Sequence, residues 1–371
     1  MRPMPKEDVY RQLADHLSKL GMGYPPSETL EEILKECFTP EEAELALALP
    51  TQVPPLQLTK VDEIARGVDL PREELERKLE DLSQRGLLFS GRTEDGQKGY
   101  ALQQVGFGFP QTFFWKGQQT PEAQRMAELV AKYFNRHVTQ EAYAPAPTKA
   151  YRYIPVGKSI EPQLQAVYPY HTMEYVIDRA EVIAVAHCPC RMVYRMRGRS
   201  CDHPLEVCIK FDDLAEYVID RGLARAISKD EALDIIARCE EAGLVHFVDN
   251  AQGQIKHNCN CCGCACWNVG NIRRRKIPRD VIMATYFIRE TEQDECTGCG
   301  LCAEVCPVDA VRMEDDLPQV DLQWCIGCGV CVAQCPTGAA RLEPRPDRID
   351  QPMPADFREL HSKILKEKGL G

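Results

Sequence analysis

Apolar and polar positions recur with helical spacing over the first fifty residues. In "SETLEEILKECF" (27–38), Ser27 and Glu28 precede Leu30, Ile33 and Leu34 on one face, which predicts a capped helix. Pro50, Pro54 and Pro55 break the pattern and set off residues 1–50 as a helical segment. Val61, Ile64 and Ala65 then mark a short helix, Gly67 a turn, and Leu75, Leu79 and Leu82 one face of a second helix starting at Pro71, a residue suited to the first helical position. "GLLFS" and "GYAL" read as strands joined by the hairpin "EDGQKG", closing a block over 51–115. A Gly- and aromatic-rich bridge, "GFGFPQTFFWKG", an amphipathic helix from Thr120 to about Phe134 and a Pro-broken linker, "YAPAPTKAYRYIP", fill 116–150 and its borders.

From 151 to 290 the periods alternate. "HTMEYVIDRA" and "DDLAEYVIDRG" read as helices and "EVIAVAH" as a buried strand. "SKDEALDIIARCEEAGLVHFV" reads as a helix with Ser228 and Glu231 in capping-box register, followed by Gly243 and a strand. This alternation predicts an α/β layout for the block. Residues 291–342 hold an internal repeat: the stretches from Glu295 and from Trp324 align with an offset of 29. A proline-rich tail with a short basic helix, "FRELHSKILKEKG", occupies 343–371. The whole is expected to be an α+β multidomain chain.

The block at 51–105 resembles, in its order of helix, turn, helix and hairpin, the winged-helix domain of bacterial transcription regulators. The resemblance would place the second helix in a major groove. There Glu73, Glu74, Glu76, Glu80 and Asp81 outnumber Arg72, Arg77, Lys78 and Arg85, which favours a scaffold or protein-interaction role. The net charge of −11 also disfavours nucleic acid, whose binding draws on phosphate neutralisation. The longest apolar run, Val182 to Cys188, is too short to span a bilayer. "MRPMPKEDVYRQLADHL" lacks the apolar core of a signal peptide, so the expected location is cytoplasmic. Nineteen cysteines in a reducing compartment point to metal ligation rather than disulfides. Cys37 and Cys239, on helical faces, read as small buried residues.

Each copy of the repeat is C-x2-C-x2-C-x3-C-P, the run that holds two 4Fe–4S clusters in bacterial ferredoxins. Zinc sites rarely repeat this spacing with the proline. The segment 291–342 is thus similar to bacterial two-cluster ferredoxins. The resemblance implies one cluster on Cys296, Cys299, Cys302 and Cys335 and another on Cys325, Cys328, Cys331 and Cys306. Gly298, Gly300, Gly327 and Gly329 let the backbone approach the sulfurs. Nine acidic residues against two arginines in this segment suit docking to a basic partner.

The middle block holds a second thiol set. Cys188, Cys190, Cys201 and Cys208 come from "HCPCRMVYRMRGRSCDHPLEVC", and Cys259, Cys261, Cys262, Cys264 and Cys266 from "CNCCGCAC". Nine thiols leave room for two four-ligand sites with one thiol over, or for one cluster with extra reactive thiols. At least one additional iron–sulfur cluster is expected, with structural zinc and free redox thiols as the competing uses. Arg191, Arg195, Arg197 and Arg199 would favour thiolates and offset an anionic cluster. His187 and His203 lie beside the cysteines, where a lone histidine more often hydrogen-bonds a ligand than serves as one. Successive residues on extended chain face opposite sides, so two or three of the five clustered cysteines can serve one metal unless the backbone turns at Gly263. Some of these thiols would then join Cys188 and Cys190.

The "CCG" triplet resembles the cysteine-rich domains of heterodisulfide reductases, without their paired motifs at longer spacing. The full constellation followed by a two-cluster ferredoxin resembles uncharacterised ferredoxin-domain proteins of anaerobic bacteria and archaea. Three functions follow. The first is an iron–sulfur electron-transfer protein carrying low-potential electrons between redox partner proteins. The second is an oxidoreductase reducing a small substrate at a middle-block cluster. The third is a redox-sensing regulator. "RRRKIPR" at Arg273 is the one dense basic run, open to nucleic acid, an anionic substrate or the acidic ferredoxin face, with a solvated loop as the equal alternative.

Overall fold

Helices Asp8–Leu17, Glu28–Cys37 and Pro40–Ala46 open the computed structural model, which describes residues 8–104, 108–275 and 277–371. Residues 1–7 of the signal-peptide reading, 105–107 of the aromatic bridge and 276 of the basic run lie outside these. Ser27 caps the second helix by accepting the Leu30 amide at 3.1 Å, as its position predicts. The block that follows contains strands β1 (Thr59–Lys60), β2 (Leu88–Arg92) and β3 (Lys98–Leu102) in the order β1–β3–β2, with helix Arg72–Gln84 packed on them. Pro71 stands just outside that helix, at its N-cap. Tyr217 of the middle block donates to the Leu88 carbonyl at 2.8 Å, and Arg221 reaches Ser90 Oγ at 2.7 Å. The sheet edge is therefore docked on the middle block.

The middle block is built on a six-stranded sheet of order β4–β8–β9–β6–β5–β7. Its strands are β4 (Tyr151–Ile154), β5 (Ile183–His187), β6 (Glu206–Phe211), β7 (Arg225–Ala226), β8 (Val245–Asp249) and β9 (His257–Cys261). All its pairings are antiparallel, which corrects the α/β expectation: the block is α+β. Alternating helical and strand periods leave strand direction open: β5 and β6, joined through helix Pro189–Met196, run antiparallel all the same. Two strands escaped the pattern. β4 hides in the segment read as a linker, and β9 consists of polar and cysteine residues. Ser228 caps helix Lys229–Glu241, but the Glu231 carboxylate turns to Arg225 at 2.6 Å and does not close the box.

The last segment pairs β10 (Phe287–Thr291) with β13 (Ala340–Pro344), and β11 (Val311–Glu314) with β12 (Leu317–Val320). The tail packs against the body rather than trailing from it. Helix Phe357–Glu367 buries Leu360, Ile364 and His361, and Glu367 accepts from the amide and hydroxyl of Thr148 at 2.8 and 2.7 Å. Among the described residues no helix is long and apolar enough to cross a membrane.

Candidate metal centres

The repeat in sequence is a repeat in backbone. Helices Leu301–Glu304 and Val330–Ala333 each follow a left-handed glycine, Gly300 and Gly329, both at φ 76°. Cys296, Cys299, Cys302 and Cys335 line one pocket together with Arg289. Cys306 lies within electrostatic reach of Cys325 and Cys328, and Cys331 of Cys325 and Cys306. The two sets adjoin, since Cys331 is also within electrostatic reach of Cys302. They differ in depth: Cys299 is exposed, whereas Cys306, Cys325 and Cys328 are buried. Burial pushes the Cys331 thiol up to about 12. Cys335 is held below its ordinary value, since amides of Ala340, Thr337 and Gly338 outweigh burial. Arg289, buried beside Cys302 and Cys331, has no hydrogen-bond partner for Nε and Nη1. A buried cation without a partner needs anionic charge nearby. Four thiolates around an iron–sulfur core supply it, so the residues fit the group.

In the middle block six thiols surround one cavity of about 70 Å³: Cys188, Cys190, Cys208, Cys259, Cys261 and Cys266. Cys188 caps helix Pro189–Met196 and Cys190 sits in its first turn. Cys208 and Cys259 face each other across the β6–β9 pair, in register with Ile209 opposite Asn258. Cys259 and Cys261, two apart on β9, point to the same side. Each sulfur lies within electrostatic reach of the next in the order 188, 190, 266, 261, 259 and 208. Contacts from Cys208 and Cys261 bring the Cys259 thiol down to about 5, and Cys190 brings Cys188 down to about 7. Lys210, itself buried, donates to Cys208 Sγ at 3.2 Å and lies over the Trp115 ring. Amides of Trp267 and Asn268 point at Cys190 and Cys266.

The remaining three thiols lie elsewhere. Cys201, Cys262 and Cys264 gather with His203, all four donor atoms within 4.8 Å of one another. Cys262 and Cys264 take this side because the odd positions of β9 face the cavity and the turn at 263–265 then returns Cys266 to it. His203 belongs to this group and His187 to none: His187 Nδ1 meets the Trp115 carbonyl at 3.1 Å. Arg191 stands between the two groups, within electrostatic reach of Cys188, Cys262, Cys261 and Cys201. It is fully buried, and its Nε and Nη1 lack partners just as those of Arg289 do.

The ferredoxin segment is set against these groups. A Cβ on Gly263 would lie 2.1 Å from the carbonyl oxygen of Pro307, the residue after Cys306. A Cβ on Gly329 would lie 1.9 Å from Ser159 Oγ, and the Val156 amide donates to the Cys328 carbonyl at 3.0 Å. Tyr153 is buried within electrostatic reach of Cys266, Cys261 and Cys328. Of the uses weighed for the basic run, Arg273 meets the acidic ferredoxin face. Arg273 pairs with Asp309 of the ferredoxin segment at 3.0 Å, Arg274 donates to the carbonyls of Gly263 and Cys266, and Arg279 to that of Cys325. Cys37 and Cys239 are buried on helices, with Cys239 pushed up to about 12 by burial.

Comparison with known proteins bears on the last segment. A ferredoxin of Mycolicibacterium smegmatis is 55% identical over 31 residues, which are 8% of this chain and 26% of that protein. No solved structure matches the chain. Residues 288–342 match the 4Fe-4S dicluster domain family, so this part of the chain is a ferredoxin-type iron–sulfur domain and supports a role in electron transfer.

Proposed function

We propose that this chain is an iron–sulfur electron-transfer protein in which the ferredoxin segment joins a redox partner protein at the surface to a further iron–sulfur site inside the middle block. The observation that carries the reading is the order of the thiol sets. Cys299 of the first set is exposed, Cys306, Cys325 and Cys328 of the second are buried, and Tyr153 lies within electrostatic reach both of Cys328 and of Cys261 and Cys266 of the six-thiol cavity. Iron–sulfur clusters supply one-electron storage at low potential. The chain's own part is to hold the thiolates, exclude water and balance charge. Arg289 and Arg191 place a buried cation beside each group of thiols, and Lys210 adds a third at Cys208. Asp294, Glu314, Asp315 and Asp316, exposed in the ferredoxin segment, give a docking partner an acidic surface to meet.

A second reading has one observation in its favour. A cubane takes four thiolates, and the cavity offers six, with the Lys210 ammonium in the same space. Two thiols and a cation beyond the ligand set suit reduction of a small anionic substrate. The winged-helix-like block is docked on the middle block through Tyr217 and Arg221, which supports scaffolding over regulation.

The full-length chain, purified anaerobically, is expected to carry about 12 irons or more, where the two ferredoxin sets alone account for about 8. Serine at Cys188 and Cys190 should lower the count and leave the reduced ferredoxin spectrum intact. A count of about 8 that these variants do not change would overturn the middle-block cluster and turn its six thiols into reactive groups.

A further inference from the structure

We infer that Cys201, His203, Cys262 and Cys264 form a mononuclear zinc site, separate from every iron–sulfur centre, that fastens the loop after helix Pro189–Met196 to the turn after β9. The geometry discriminates between one ion and a cluster. Cys201 Sγ lies 3.9 Å from Cys262 Sγ and 3.3 Å from Cys264 Sγ, and Cys262 and Cys264 are 3.2 Å apart. His203 Nδ1 lies 3.6 Å from Cys201 Sγ. Around one tetrahedral zinc with Zn–S near 2.3 Å and Zn–N near 2.05 Å, sulfurs stand about 3.8 Å apart and nitrogen about 3.6 Å from sulfur. In a cubane each thiolate binds a different iron and the four are spread around the core, which a group this tight does not allow. The separations also exceed the length of a disulfide, about 2.05 Å.

The donor set and its surroundings agree. Three thiolates and one imidazole make a closed structural zinc site with no position left for substrate. The Ala265 amide points at Cys262 Sγ at 3.4 Å, the hydrogen bond a zinc-bound thiolate accepts. Arg195 donates to the carbonyl of Cys201 at 2.7 Å and to that of His203 at 3.3 Å, which fixes the loop. Arg274 does the same for the turn through Gly263. Three thiolates on one zinc carry a net negative charge, and the buried Arg191 guanidinium lies within reach of Cys262 and Cys201 to offset it. Cys201 and Cys262 are buried, while His203 and Cys264 form the partly exposed side through which an ion would enter.

The test is metal analysis of the full chain expressed in iron-replete medium and purified anaerobically. One zinc per chain is expected beside the iron. Cys201→Ser with Cys264→Ser, and separately His203→Ala, should remove that zinc and leave the iron count unchanged. His203→Cys should retain it, which separates ligation from a folding defect. Cys190→Ser with Cys261→Ser should leave zinc in place. Zinc X-ray absorption should show three sulfurs at about 2.3 Å and one nitrogen at about 2.0 to 2.1 Å. The inference is overturned if zinc is absent, if the Cys201 and Cys264 variant loses about four irons, if a single iron occupies the site, or if mass spectrometry finds a Cys201–Cys264 disulfide.

Discussion

The ferredoxin segment and the middle block both gather cysteines, and they do it by opposite means. In the ferredoxin segment three of the four thiols of a set fall within seven residues, on a loop whose left-handed glycines and single helical turn shape the site locally. In the middle block the cavity draws on a helix start, two neighbouring strands and the turn beyond them. A loop-borne site is written into spacing; a sheet-borne site is written into register. The first can be carried between proteins as a short cassette. The second exists only when the sheet has formed.

The sharpest way to break this comparison is to remove ligands from each side. Serine at Cys325 and Cys328 should cost about four irons and leave the middle-block iron, while serine at Cys259 and Cys261 should cost at least as many and leave the ferredoxin signal. If losing either pair empties both regions, the two are one assembly unit and the contrast fails. Next in size is the packing between them. Gly329→Ala places a Cβ at positive φ against Ser159 and should lower stability by about 2–3 kcal/mol in chemical unfolding. Gly338→Ala, at φ 75° with open space around it, should cost about 1 kcal/mol and serves as the control for strain alone. Equal losses would mean that the interface contributes nothing.

A smaller effect is expected from charge. Arg191→Met removes a buried cation from beside thiolates, which disfavours the more negative, reduced state. The middle-block midpoint should fall in a potentiometric titration while the ferredoxin midpoints hold; a shift in the ferredoxin signals instead would place Arg191 in the wrong region. The smallest effect concerns the N-terminal block. Arg72 is paired with Glu76 at 2.8 Å and with Asp62, so no sequence-specific duplex binding is expected at physiological salt. A footprint lost on Arg72→Glu would promote the regulator reading.

What the sequence revealed follows the same division. The eight ferredoxin cysteines, their grouping and the glycines beside them are legible because local spacing carries their geometry. The helices capped by Ser27, Thr120 and Ser228 are legible for the same reason. The middle-block cysteines are legible as a metal-binding collection but not as two groups. Their partition rests on which face of β9 each residue takes and on the β6–β9 register, and periodicity gives neither for a strand reading "HNCNC". His203 reads as a hydrogen-bonding neighbour because, of its group, only Cys201 is near it in sequence, with one residue between them; only the folded turn brings Cys262 and Cys264 to it. The sequence offers the acidic ferredoxin face as one use of "RRRKIPR" but does not single it out, because Asp309 lies 36 residues from Arg273 and the Cys266 carbonyl eight from Arg274.

The contact between Gly263 and the Pro307 carbonyl bears on how such a protein is put together. The peptide after Cys306 rests on the turn at 263–265 closely enough that a side chain on Gly263 would collide with the Pro307 carbonyl. Cys306 stands in one group of thiols and Cys262 and Cys264 in another, so the two loops share a boundary. On the zinc assignment inferred above, the turn that carries Cys262 and Cys264 is the seat for the peptide that follows Cys306.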